Sequence, residues 1–243
     1  LERIVRELDA DIAPGPDCIG NMMIQKSFYF LKRILFHLFG ACLKLKYFPR
    51  VWKTAAAIYI PKPGRSNMQD TDSYRPISLL SNLGKILERI IKDRMEFYAE
   101  PAHLNSDKQF GFRRGGSTIK ALNYIVEAVD KAKGSSKKCA LISFDIKGAF
   151  DHCWWPNILR IMHQRAYPTD LIELIDSYFT DRSVHCSFGN VSVSKSQSRG
   201  CPQGSVLSPL LWNLNMDPLL RYMEAERNPR RSFAAYADDL SVV

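Results

Sequence analysis

Two adjacent carboxylates, Asp238 and Asp239, lie between the apolar runs Phe233-Ala234-Ala235 and Leu240-Ser241-Val242-Val243. Neighbouring buried acids repel and each is costly to desolvate, so a chain that embeds such a pair must turn it out to solvent or bring it a cation. A third acid, Asp145, closes another apolar run, Cys139-Ala140-Leu141-Ile142-Ser143-Phe144, about ninety residues earlier. That run reads as a short, largely buried strand with Asp145 at its exit. Phe233 to Ala237 and Leu240 to Val243 read as two strands joined by a tight turn holding both acids, which turns favour. If those strands are neighbours, three carboxylates converge. Such a set suits paired magnesium ions about 3.5 to 4 Å apart, which clamp the attacking and leaving oxygens of an in-line phosphoryl transfer. Taken alone, an acidic dipeptide in a hairpin turn is more often a solvated turn than a site, so the other segments have to decide.

At 243 residues with 46% hydrophobic content, the chain can bury a real core as one large domain or two lobes. Its formal charge of +9 is unevenly spread: Lys26 to Lys138 holds 22 Lys and Arg against 9 Asp and Glu, whereas the rest holds 12 against 16. A basic front part beside an acidic centre fits a polymer of phosphates held by one lobe and metal ions held by the other. A plain solvated basic surface would show the same excess. The six cysteines (18, 42, 139, 153, 186 and 201) form no C-x-x-C pair and no zinc spacing, which fits reduced core thiols of an intracellular protein. No secretory signal is read at the start. Phe28 to Leu45 is the most apolar long stretch, but Lys32, Arg33, His37 and Lys44 interrupt it. Ile24, Phe28, Leu31, Leu35, Leu38, Cys42 and Leu45 recur at helical spacing, which predicts a core-facing helix and no membrane span.

Punctuation organises the remainder. Pro14-Gly15-Pro16-Asp17 is a turn before the long helix, Pro49 ends that helix, and Ala55 to Ile60 reads as a strand. Pro61-Lys62-Pro63-Gly64 and the polar stretch from Arg65 to Ser73 read as an exposed loop. Leu83, Ile86, Leu87, Ile90, Ile91 and Met95 mark an amphipathic helix with Lys85, Arg89, Lys92 and Arg94 toward its polar side, and Ile119, Leu122, Ile125, Val126 and Val129 mark another. Leu171 to Phe179 reads as a helix opened by Pro168-Thr169-Asp170, and Val184 to Ser194 as two strands turning at Gly189-Asn190. Lys131 to Lys138, with Gly134-Ser135-Ser136, is the expected boundary between a front lobe over residues 1–138 and a second over 139–243.

Several of these segments also form an ordered series. Pro61-Lys62-Pro63-Gly64 is followed by Tyr74-Arg75-Pro76-Ile77-Ser78-Leu79-Leu80, then Gln109-Phe110-Gly111-Phe112-Arg113, then Phe144-Asp145-Ile146-Lys147-Gly148-Ala149-Phe150-Asp151. Gly200-Cys201-Pro202-Gln203-Gly204-Ser205-Val206-Leu207-Ser208-Pro209 and Tyr236-Ala237-Asp238-Asp239 complete it. The series resembles the motifs of reverse transcriptases of non-LTR (LINE-type) retrotransposons and covers nearly the whole chain. The segment running from Phe144 into Trp154-Trp155-Pro156 is most similar to the Jockey-like and ribosomal-DNA-inserting arthropod elements. Cys18 departs from the pattern, since the family commonly has Gly after Pro-Gly-Pro-Asp.

The resemblance implies an α+β, right-hand polymerase fold: helical fingers over 1–138 and a palm with an antiparallel sheet over 139–243. Only four residues follow the acidic pair, so the chain is expected to be a fragment, with the palm incomplete and the thumb absent. The implied activity is RNA-directed DNA polymerisation, extending a DNA primer on an RNA template from deoxynucleoside triphosphates with two Mg2+ ions, or Mn2+ in their place. Asp145, Asp238 and Asp239 match the catalytic metal ligands, in agreement with their apolar context. Asp151 matches the second acid of its motif, which is not usually a ligand. Lys62 and Arg75 match the residues that grip the triphosphate, Arg suiting a bidentate contact and Lys a point charge. Phe150 matches the bulky residue beneath the incoming sugar, where a ring would exclude a 2′-hydroxyl; an ordinary core aromatic is the competing reading. Gln203 and Gly204 match the loop under the nascent base pair, and Arg113 and Arg114 are expected to face template phosphates. The site of action implied is intracellular, in the nucleus, and oligomeric state is left open. An RNA-dependent RNA polymerase would share the carboxylates but not the bulky Phe150. A group II intron-type maturase would share the motifs, and a decayed element would retain nucleic-acid binding alone.

Overall fold

The computed structural model describes residues 1–64, 67–99, 106–135, 138–226, 228 and 231–243. Its helices are α1 (Glu2–Arg6), α2 (Asn21–Lys44), α3 (Asn82–Ala99), α4 (Thr118–Gly134), α5 (Trp155–Gln164), α6 (Thr169–Phe179) and α7 (Ser208–Ala225). The strands are β1 (Thr54–Pro61), β2 (Tyr74–Leu79), β3 (Ile142–Phe144), β4 (Ser183–Phe188), β5 (Val191–Ser196), β6 (Phe233–Tyr236) and β7 (Asp239–Val242). Periodicity explains the clearest of these. On α3 the apolar residues fall at helical spacing and Ile86, Leu87, Ile91 and Met95 are buried, while α6 starts behind Pro168, whose fixed φ suits a helix entry.

Two sheets result. One has the order β2-β1-β4-β5, in which β1 pairs antiparallel with β2 and parallel with β4, through Thr54↔Ser183 and Ala56↔His185. The β4–β5 hairpin turns at Gly189-Asn190. The other sheet is antiparallel with the order β3-β7-β6. One continuous apolar core ties the elements together, from Ile4 and Phe39 through Ile91 to Met162, Tyr178, Leu211 and Ala235. Trp155 and Phe179 stack within it at 5.0 Å and 11°, joining α5 to α6. The Lys131 to Lys138 segment runs from the last turn of α4, and residues 136–137 lie outside the described residues.

Three expectations need correcting. The run before Asp145 forms a strand only over Ile142–Phe144, and it is exposed rather than buried, with Ile142 at 53% and Phe144 at 50%. The reason is position: β3 is a sheet edge, hydrogen-bonded on one side only, and an apolar run does not say what covers it. The long helix α2 buries Ile24, Leu35, Phe39 and Cys42, but Tyr29, Phe30, Leu31, Ile34 and Phe36 stand in the open, so it faces the core on one narrow stripe. Of the six cysteines, all free, only Cys42, Cys153 and Cys201 are buried. No helix of the described residues is long and apolar enough to cross a membrane.

Candidate active site

The acidic hairpin turns one residue earlier than its composition suggests. Tyr236 pairs with Asp239, so Ala237 and Asp238 make the turn and Asp239 opens β7. A two-residue hairpin needs a positive φ in its first central position to match strand twist, and Ala237 supplies it at +59°. Phe144 pairs with Leu240, so Asp145, one residue beyond Phe144, and Asp239, one residue before Leu240, lie at the same end of adjacent antiparallel strands. Asp145 and Asp239 are exposed and Asp238 is half-buried. No Lys, Arg or His forms an ion pair with any of the three among the described residues. The strand order therefore collects the acids at one end of the sheet, and no cation of the described residues pairs with them there. Their side chains do not close into a cage: among the described residues no group of three or more His, Cys, Asp or Glu is gathered for a metal. The donor set, oxygen only and acidic, is nonetheless the chemistry that hard divalent cations such as Mg2+ and Mn2+ take.

The other expected residues are held by the first sheet and by loops. Lys62 follows β1; its N–H donates to Ser73 O at 2.8 Å and its Nζ to Asp72 O at 2.9 Å. Lys147, two residues past Asp145, pairs with the Asp72 carboxylate at 2.8 Å, which ties the carboxylate strand to the same loop. Arg75 lies on β2 opposite Ile60 and is exposed. Phe150 is half-buried, stacked on Trp212 at 5.8 Å and edge-on to Phe112 at 5.9 Å. It has both a core contact and an open side. Gln203 O accepts the Ser78 N–H at 2.8 Å, so the loop lies against β2. Gly204 has φ +124°, and a Cβ there would stand 2.6 Å from Ser78 O; glycine is required by protein packing alone. Arg113 binds its own loop, donating to Ser106 O and pairing with Asp107 at 2.8 Å. Arg114 is exposed. Both line a cleft of about 700 Å³ with Arg3, Arg89, Lys92 and Tyr236, the residue that precedes the acidic turn.

Glu88 is the residue that motif reading passed over. Its side chain on α3 is buried and accepts from Ser205 Oγ at 2.8 Å and from the Val206 N–H at 2.7 Å. Tyr178 OH meets the same hydroxyl at 2.9 Å, and the buried Arg182 lies 4.5 Å over the Tyr178 ring. Burial pushes the Glu88 carboxyl above its ordinary range, against the pull of Arg182. The spacing held a signal, because 88 shares a face with the buried positions 84, 91 and 95.

An antiparallel sheet that presents three acids at one end, with a basic helical front part beside it, defines the palm of a right-hand nucleotide polymerase. The chain is matched over residues 60–243 by the family described as reverse transcriptase (RNA-dependent DNA polymerase), and it belongs to that family. It is 31% identical over 244 residues to the probable RNA-directed DNA polymerase from transposon BS of Drosophila melanogaster, covering 98% of this chain and 26% of that protein. It is 32% identical to the RNA-directed DNA polymerase from mobile element jockey of the same fly, over 100% of this chain and 27% of that one. These are non-LTR retrotransposon polymerases, as the motif series implied. The fold is similar to that of apo telomerase from Candida tropicalis, truncated from its C-terminal domain. There the TM-score is 0.56 at 12% identity, over 79% of this chain and 43% of that one. The chain spans about a quarter of the length of the curated relatives it matches.

Proposed function

We propose that the chain is the catalytic core of a non-LTR retrotransposon reverse transcriptase, extending a DNA primer on an RNA template. The observation that carries this is the meeting of Asp145 with the Asp238–Asp239 hairpin at one end of the β3-β7-β6 sheet, in a chain of the reverse transcriptase family. The primer 3′-oxygen attacks the α-phosphorus of a deoxynucleoside triphosphate; the new P–O bond forms as the bond to the β-phosphate bridging oxygen breaks, pyrophosphate leaves, and the hydroxyl proton passes to solvent. Paired Mg2+ ions, or Mn2+, supply Lewis-acid stabilisation of the charge on the attacking and leaving oxygens when bound. Asp145, Asp238 and Asp239 would hold them. Lys62 and Arg75, at the β1–β2 end of the other sheet, grip the triphosphate. Phe150 offers a ring to the sugar, Gln203 and Gly204 support the base pair from a loop fixed to β2, and Arg113 and Arg114 take template phosphates along the cleft.

On this reading residues 1–138 act as fingers and 139–243 as palm, with the β4–β5 hairpin docked on the fingers strand β1. The site of action on this reading is the nucleus. Primer extension by the complete protein, on RNA and on DNA templates, with and without Mg2+, tests the proposal. Metal-dependent incorporation of deoxynucleotides on RNA is the expected result, and its absence removes the proposal.

A further inference from the structure

The turn that carries Asp238 is held from outside its own hairpin as well as by the Tyr236–Asp239 pair. Ala237, a left-handed residue without the freedom of glycine, has both of its backbone groups taken by side chains from elsewhere. Gln109 Oε1 accepts the Ala237 N–H at 3.0 Å and the Gly111 N–H at 2.9 Å, while Gln109 Nε2 donates to Ala237 O at 3.1 Å. Trp212 Nε1 on α7 donates to the same carbonyl at 3.0 Å. Gln109 and Trp212 are both buried, at 4% and 3%.

Gln109 is fixed in turn. Its neighbours extend the carboxylate sheet, the Phe110 N–H donating to Ala235 O at 2.8 Å and the Ala235 N–H to Lys108 O at 2.8 Å, a parallel bridge that adds 108–110 beside β6. Gly111 allows the approach, since a Cβ there would stand 2.3 Å from Ala237 N. Asn213, next to Trp212, donates to Gly111 O at 3.0 Å and closes the set. The Trp212 indole is also the surface on which Phe150 stacks.

We infer that Gln109 and Trp212 are positioning residues that clamp Ala237 and thereby set where Asp238 and Asp239 stand for the divalent ions. The inference rests on the polymerase reading of the site. It is tested on the full-length protein with Gln109→Met, which keeps length and loses every side-chain hydrogen bond, and with Trp212→Phe, which keeps a ring against Phe150 and loses the N–H. Binding of Mn2+ is measured calorimetrically without nucleotide, alongside amide exchange at Ala237, primer–template affinity and kcat. Loss of a partner that orients metal ligands costs roughly ten-fold to a hundred-fold in metal affinity, and a weakening of that order is expected for Gln109→Met with a smaller one for Trp212→Phe. Exchange at Ala237 should accelerate, kcat should fall, and primer–template affinity should hold.

Adding Ala237→Gly to Gln109→Met should recover part of the Mn2+ affinity, because glycine takes a positive φ without a clamp. Parental Mn2+ affinity and parental exchange in both folded single variants would overturn the inference. Should Gln109→Met fail to fold, Trp212→Phe decides by the same two readouts. An unsubstituted protein that extends no primer would instead remove the polymerase reading, and the exchange measurement would still judge the clamp.

Discussion

Single residues carry the local backbone strain of this molecule. Cys18 is exposed and sits at φ +57°, in the turn after Pro-Gly-Pro-Asp. A left-handed non-glycine residue costs on the order of 1 to 3 kcal/mol, and glycine returns roughly 0.4 to 1 kcal/mol of that through the entropy of the unfolded chain. Cys18→Gly should therefore raise stability by about 1 kcal/mol, read as a higher midpoint in thermal unfolding; a lower midpoint would contradict the strain. Phe150 has two contributions to separate. If its open side meets the sugar, Phe150→Val should raise ribonucleotide use relative to deoxynucleotides by roughly ten-fold to two-hundred-fold, the range of a pocket that discriminates by packing. Its stack on Trp212 means the variant also loses stability, by less than the roughly 3 to 5 kcal/mol of a buried Phe→Ala change. A destabilised protein with unchanged sugar selectivity would leave Phe150 as core alone.

At the scale of elements, helices and hairpins with a clean period were legible, and α3, α6 and the β4–β5 turn fall where spacing and punctuation put them. What composition could not report was coverage and register. The run before Asp145 is apolar yet belongs to an edge strand, and the acidic turn shifts by one residue because Ala237, rather than an acid, takes the positive φ. The parallel pairing of β1 with β4 joins positions more than a hundred residues apart, and no local pattern encodes it. The clamp on Ala237 was half legible: Gln109 opens the Gln109-Phe110-Gly111-Phe112-Arg113 motif without a role of its own, and Trp212 lies in no motif. The loop from Gln203 to Val206 is fixed from both sides, by Ser78 on β2 and by Glu88 on α3. Gly204→Ala must push that loop off β2, since the new Cβ meets Ser78 O, and nucleotide affinity should fall with it. Parental affinity in Gly204→Ala would mean the loop is indifferent to its seat. Glu88 sets a pH dependence. Its folded carboxyl holds a proton that the unfolded chain releases near the ordinary value of 4.5, so stability falls as pH rises from there to the raised folded value and then levels. Glu88→Gln should remove that portion of the slope in denaturant unfolding run across pH, and coincident slopes would contradict the assignment.

The molecule as a whole is electrically divided along its sequence, with a basic excess over Lys26–Lys138 and a small acidic excess in the remainder. Template affinity in the full-length protein should fall linearly with salt on logarithmic axes as phosphate contacts release counterions. A flat line would return the basic residues to plain solvation. On the proposed reading template and ions are held by different residues, so binding and chemistry can be measured apart. The most direct test is single-turnover incorporation of a deoxynucleotide on a primed RNA template with Mg2+, by the full-length protein and its Asp145→Asn variant. Losing a ligand that holds a Lewis acid worth several kcal/mol predicts a fall on the order of a thousand-fold in the chemical step, with template affinity unchanged. Incorporation by Asp145→Asn at near the parental rate would contradict the assignment of the sheet end as the metal-dependent centre.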